Sequence, residues 1–373
     1  MSTPPSAAAP DRVFVTGTGR CGSTLVSGLL REHPQMLSLS ELFNHLTDLY
    51  RLTPSVFPEG TLTAGEFWRI LSARNAVNGL LNRHGLAPKE ILYPASGTHR
   101  FAADSGIPAV LLTTLPHLTD DPDALYDELE AAVATFPDGG VGAHYDRLFG
   151  WLCARFGKSL WAERSGGSLI LAGQFRQHFP DAKYLHIVRD GRDCALSMSR
   201  HRGFRMAAVV MALSLTLGRD PYSGPEELAD GPDLDFVPQE LLPFLPDRFD
   251  PEAFRDYTVP ASLFGTYWSD EMRRGMEALS VLPQEQVLHI WYEDLLAQPE
   301  RTLRRVAEFL GPRFVDEEWE ARCTRLVGQP SSSWRALPDA EREELDEACR
   351  AGFSALAAHG VTRTVNEPVG SGT

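Results

Sequence analysis

A chain of 373 residues, 43% hydrophobic and 23% charged, can build one large α/β domain or a core domain with a substantial insertion, and fits a soluble protein with a real core. Its 50 acidic against 35 basic residues leave a formal charge of −15, which argues against a nucleic-acid or anionic-membrane surface while leaving room for a local basic pocket. The five cysteines, Cys21, Cys153, Cys194, Cys323 and Cys349, form no close-spaced pair, so neither a zinc cluster nor a disulfide framework is indicated, and a reducing compartment is the default.

No stretch reaches the roughly 20 apolar residues of a membrane span. Residues 1–11 lack the basic and apolar regions of a leader and are expected to form a disordered lead. The first ordered unit is Val13 to Arg31. A β-branched and aromatic run ends in glycines, and Leu25, Val26, Leu29 and Leu30 then recur at helical spacing, which predicts strand, tight loop and helix. Such a junction gathers loop amides and the first N–H groups of the helix, with Arg20, Ser23 and Thr24 as further donors, and it binds an anion. Cys21, inside that loop, is placed where a thiol pKa is lowered, although a structural role is expected of it.

Met36–Ser40 is expected as a second strand, which puts Glu41 at or just beyond its C-terminal end, the edge where ligands sit in an open parallel sheet. Residues 42–60 read as a loop, 64–82 as one helix and Ile91–Pro94 as a short strand. Leu125, Leu129 and Val133 share a helical face, and a further helix spans 144–156. Residues 42–157 exceed what one βα connection requires and are expected to shape an acceptor pocket. Strands follow at Leu160–Glu163, ending beside Arg164, and at Asp181–Arg189, with Arg189 at the junction to another helix. Residues 205–256 read as a long loop or lid. A helix near 260–279, a strand over Gln286–Tyr292, a helix opened by Pro299 and closed by Gly311, a helix over 314–326 and a last one from Pro338 to Gly360 complete the domain. Residues 362–373 are expected to be mobile.

Gly17-x-Gly19-x-x-Gly22 matches the dinucleotide fingerprint, and an acid, Glu41, lies about 20 residues on. Against an NAD(P)-dependent oxidoreductase stand the Arg and Cys inside the loop. Gly17-x-x-x-x-Gly22-Ser23-Thr24 also approaches a nucleotide-phosphate loop, but the lysine that an NTPase of that kind uses is absent. Taken with the later motif Ile187-Val-Arg-Asp-Gly-Arg-Asp-Cys-Ala-Leu-Ser197, the pattern resembles the sulfotransferases that use 3′-phosphoadenosine 5′-phosphosulfate (PAPS). Gly19-Arg20-Cys21-Gly22-Ser23-Thr24 resembles that family's 5′-phosphosulfate loop, and Arg189 with Ser197 its 3′-phosphate pair. Tyr292 to Gly311 is similar to the family's later strand-to-helix segment.

The resemblance implies an α/β, three-layer P-loop-like fold with a central, mostly parallel sheet and helical insertions, as a single domain over 12–361. It implies PAPS as sulfuryl donor and adenosine 3′,5′-bisphosphate as product. Where many members carry a basic C-terminal clamp, this chain has Gly328 to Arg335, which resembles the Ser-x-x-Trp-Arg endings of bacterial and Golgi tyrosine-type relatives and implies a cofactor-closing role for Ser332, Trp334 and Arg335. Ser40-Glu41-Leu-Phe resembles the branch in which Glu is the base, making Glu41 and Arg20 the catalytic candidates, with His45 a competitor. The expected acceptor is a small alcohol or phenol, less readily an amine, and the expected location cytoplasmic, with no metal and no nucleic acid involved. A non-catalytic nucleotide-binding protein on the same scaffold is the other alternative. Nothing in the sequence speaks to oligomeric state.

Overall fold

Runs of apolar and β-branched residues long enough to be buried on both faces make the strands of a parallel sheet. The computed structural model describes residues 9–46, 56–94, 99–102, 106–222, 236–328 and 332–363. Among them five runs are strands: β1 (Asp11–Gly17), β2 (Met36–Ser40), β3 (Leu160–Arg164), β4 (Lys183–Val188) and β5 (Val287–Trp291). Every pairing is parallel and the order is β2-β3-β1-β4-β5. From β1, helix α1 (Ser23–Arg31) leads to β2 on one side of the sheet, whereas the chain leaving β4 reaches β5 on the other. Neighbouring β1 and β4 therefore flank the switch point, where the carboxyl ends of parallel strands open a crevice for a ligand.

The chain divides into two compact units. The first comprises Met1–Ser40, Gly142–Cys194 and Gly265–Thr373 and holds the sheet. Its core gathers on β1, where Phe14 stacks on Phe175 at 4.0 Å and meets Trp161 and Phe179 edge-on. Such aromatic pairs contribute about 0.5–1.5 kcal/mol each beyond their burial. Helix α2 (Gly191–Ser199) begins in this unit, which also holds α3 (Ala261–Ser280) from Gly265 onward and the whole of α4 (Pro299–Leu310) and α5 (Asp339–Ala358). The second unit, Glu41–Val141 with Ala195–Phe264, is helical, and Leu80, Leu81, Val209, Val210, Phe244 and Phe254 are among the residues of its own apolar core.

The strands match the sequence reading to within two residues, but several other segments differ. Asp11, assigned to the lead, is the first residue of β1 and donates its N–H to the Ser159 carbonyl. Leu42–Leu46, given to a loop, is a short helix. The single helix expected over 64–82 is two, Ala64–Leu71 and Ala76–Arg83, because Asn75 breaks out and caps the second by accepting the Asn78 N–H at 2.9 Å. Ile91–Pro94 is not a strand: the N–H groups of Leu92 and Tyr93 share the Leu112 carbonyl, at the end of the helix Ala109–Leu112. Residues 202–217, most of them read as loop, form a helix that buries Met206, Val209, Val210 and Leu213. The rest of that expected lid includes 223–235, which lies outside the described residues, as do 1–8 and 364–373 of the expected lead and tail.

On β4 and β5, His186 faces His289 in register with the two Nδ1 atoms 2.8 Å apart. Burial holds both imidazoles below their ordinary range, His289 at about 4. A depressed folded-state pKa stabilises fully above the unfolded value of about 6.5 and is lost as pH falls toward the folded one. The expected cost of acidification from about pH 7 to 4 is up to about 3 kcal/mol from His289. Denaturant titrations across that range should show the slope reduced by about one proton in His289→Gln.

Candidate oxyanion-binding site

Residues 17–23 connect β1 to α1 in a turn that only small residues permit. A Cβ on Gly17 would lie 2.6 Å from the Cys21 sulfur and 2.8 Å from the Ile187 carbonyl oxygen, so the loop folds directly against β4. Gly22 caps α1 with φ 92°, in the left-handed region, and a Cβ there would meet Tyr292 at 2.2 Å. The Gly22 carbonyl accepts the N–H of Leu25 at 3.0 Å, which starts the helix and directs its first amides at the strand ends. Arg20, at the crest, has φ 61° and a half-buried side chain; Ser23 is buried and Thr24 exposed. Cys21 departs from expectation. Its side chain is fully buried and desolvation pushes the thiol pKa up, so the residue offers an anion its backbone only.

Arg189 follows β4 directly and turns toward this loop. Its Nη1 donates to the Arg20 carbonyl at 3.0 Å, and its guanidinium lies 4.9 Å from the centre of the Tyr292 ring that covers Gly22. The nearby acids are otherwise engaged. Asp190 binds Arg192 through two contacts of 2.6 and 2.9 Å, and one oxygen of Asp193 accepts the N–H groups of Ser333 and Trp334 at 2.8 and 3.2 Å. Arg189 is thus a cation held in place by a carbonyl and an aromatic face, with no carboxylate in salt-bridge contact among the described residues. Ser197 is half-buried two turns along α2.

Asp193 also places the C-terminal motif. By holding the backbone at 333–334 it brings that segment to the start of α2, where the Arg192 guanidinium stacks 3.7 Å from the Trp334 ring. Trp334 is buried, while Ser332 and Arg335 are exposed beside it.

The carboxyl end of β3 lies between those of β1 and β2, with Arg164 in register with both Val15 and Ser40. Buried Arg164 donates to the Ser40 hydroxyl at 2.8 Å, and Ser165 donates to Glu163 at 2.6 Å. Glu41 comes immediately after Ser40, buried, with φ 58°. His45 is tied elsewhere: the Thr113 hydroxyl donates to the Glu90 carbonyl at 2.6 Å, so it accepts from His45 Nε2 at 2.7 Å.

One group escaped the sequence reading. Glu271 of α3 is buried, accepts the Tyr267 hydroxyl proton at 2.8 Å and faces the backbone N–H of Gly19 in the loop. Its signal was an acid on the face that also carries Phe264, Trp268, Met272 and Met276.

A parallel α/β sheet with a glycine loop and, on the adjacent strand end at the switch point, an arginine with no carboxylate partner among the described residues is an arrangement suited to an oxyanion. A profile of the sulfotransferase family matches residues 10–213 and a sulfotransferase domain profile matches 174–346; the chain belongs to the sulfotransferase family. It is 33% identical over 70 residues to a flavonol sulfotransferase-like protein of Flaveria bidentis, an alignment covering 19% of this chain and 22% of that protein. Among solved structures, it is similar to the sulfotransferase domain of the Synechococcus PCC 7002 olefin synthase, with 16% identity, 95% and 98% of the two chains covered and a TM-score of 0.43. A sulfotransferase from Mycobacterium avium compares at 15% identity, 96% and 78% coverage and a TM-score of 0.43. No helix among the described residues is long and apolar enough to cross a membrane.

Proposed function

We propose that this chain moves a sulfuryl group from PAPS to the hydroxyl of a small alcohol or phenol, leaving adenosine 3′,5′-bisphosphate, with Glu41 as general base. The observation that carries the reading is backbone strain. Among the described residues the two non-glycine residues with positive φ are Arg20, at 61°, and Glu41, at 58°. Such a conformation costs an L-residue about 1–2 kcal/mol and persists where function holds it. Both residues stand at carboxyl ends of parallel strands or directly beyond them, one after β1 and one after β2.

PAPS supplies an activated sulfuryl group on a phosphate leaving group. The amides of Gly19, Cys21 and Gly22 and the hydroxyls of Ser23 and Thr24 suit its 5′ side, in a cradle too tight for a Cβ at Gly22. Arg189 and Ser197 would hold the 3′-phosphate, and Ser332, Trp334 and Arg335 would close over the nucleotide. Arg20 would stabilise negative charge where it collects during transfer. Glu41 would accept the hydroxyl proton of the acceptor as that oxygen attacks in line, the role a glutamate has in the branch that uses it as the base.

Calorimetry with adenosine 3′,5′-bisphosphate, and with NAD⁺ and ATP as competitors, tests the nucleotide. Arg189→Ala is expected to weaken binding about 10–100-fold, the worth of one or two charge-assisted hydrogen bonds. Binding of NAD⁺ or ATP in place of the bisphosphate would sink the reading.

A further inference from the structure

The wall behind the anion loop includes Cys21, Tyr267 and Glu271, and burial presses each of these three toward its neutral form. Glu271 is 1% exposed. Its Oε1 accepts the Tyr267 hydroxyl at 2.8 Å and lies 3.3 Å from where a Cβ on Gly167 would stand, so the loop after β3 closes one side. The Gly19 N–H bears on the carboxyl from the loop after β1. Oε2 is sealed from solvent and has no hydrogen-bond partner among the described residues. Facing the carboxyl are Tyr267 and Asp270 of its own helix and Cys21 and Gly19 of the anion loop; the cations in this cluster bear on its neighbours, Arg164 on Cys21 and Arg274 on Tyr267.

We propose that Glu271 is a proton-linked positioning residue of the anion loop: it stands as the neutral acid whenever an anion fills the loop, so in alkaline solution, where the empty site is ionised, binding of the nucleotide takes up a proton from solvent. A carboxylate sharing the Gly19 amide with a bound phosphosulfate would set two negative charges against one donor in a dry enclosure. A neutral carboxyl removes that repulsion and still accepts from Tyr267 and from the loop. Burial raises the carboxyl pKa to about 8 before any anion is present. A negative ligand raises it further, which is the linkage that draws in the proton.

The inference rests on the anion-loop reading above, and the test separates the two. Adenosine 3′,5′-bisphosphate is titrated calorimetrically into wild type and Glu271→Gln at about pH 8.5, above the phosphate's own ionisation near 6, in two buffers of different ionisation enthalpy. Inorganic sulfate, which does not titrate, serves as a second probe. Wild type is expected to take up close to one proton, and its affinity to fall about tenfold per pH unit above about 8, while Glu271→Gln binds without proton uptake. Binding by wild type without uptake, or equal uptake by Glu271→Gln, overturns the inference. Should Glu271→Gln not fold, the infrared difference spectrum of wild type decides: a protonated-carboxyl band must grow when ligand is added, and its absence is equally fatal. Sulfate binding with proton uptake but no bisphosphate binding defeats the nucleotide reading and leaves this one standing. Binding of neither anion overturns both.

Discussion

Glu41→Gln is expected to lower kcat for sulfuryl transfer by about 10²–10⁴ while leaving bisphosphate affinity unchanged, as removal of a general base requires. Glutamine keeps the size of the side chain and one acceptor oxygen and tolerates φ 58° no worse than glutamate, so the fold should be conserved. What it cannot do is take a proton. The rival base is His45, whose Nε2 carries a proton held by Thr113, which itself donates to the Glu90 carbonyl. His45→Gln should therefore weaken the packing of its short helix against Thr113 and keep kcat within about tenfold of wild type, far short of what loss of a general base does. Single-turnover kinetics with a phenol acceptor distinguish the two. A Glu41→Gln enzyme that transfers at the wild-type rate would remove Glu41 from the chemistry.

The sheet was legible because its strands are short apolar runs bounded by glycine, proline or charge, and β2 was placed to the residue. The anion loop was legible for a related reason: glycines that punctuate a strand-to-helix junction have few other uses, and Arg20 inside them has little packing value. The helix at 202–217 was missed because Arg202-Gly-Phe-Arg-Met-Ala-Ala-Val-Val-Met-Ala-Leu is apolar over most of its circumference, so the helical period that marks an amphipathic segment is faint there. The thiol pKa of Cys21 moved the other way from the expected lowering because a helix N-terminus lowers it only where the sulfur faces it with some solvent, and here the sulfur is packed against Gly17 in full burial, as the expected structural role requires. The roles of Asp193 and Glu271 went unread on a different ground. Their partners, the amides of Ser333 and Trp334 and the amide of Gly19, are 140 residues and more away in the chain.

The second large effect is expected at Gly22, where two costs of different origin combine. Gly22→Ala puts a side chain at φ 92°, worth about 1 kcal/mol, and drives its Cβ into Tyr292, which a Cβ would approach to 2.2 Å. The ring cannot yield alone, because the Arg189 guanidinium lies 4.9 Å over it and the same guanidinium bonds to the Arg20 carbonyl. Overpacking of this kind adds about 1–3 kcal/mol, so a total loss of about 2–4 kcal/mol is expected by denaturant titration, with bisphosphate affinity falling at least about 100-fold as both anion contacts shift. The steric part belongs to the pair and the backbone part to Gly22 alone. Tyr292→Ala in the Gly22→Ala background should therefore recover the overpacking share and leave the cost of φ, giving a coupling energy of about 1–3 kcal/mol in the double-mutant cycle. Additive losses would mean that the ring and the loop do not bear on each other. With the predicted coupling, stability returns while affinity stays low, because the ring that recedes from Gly22 is the one that holds Arg189 in place.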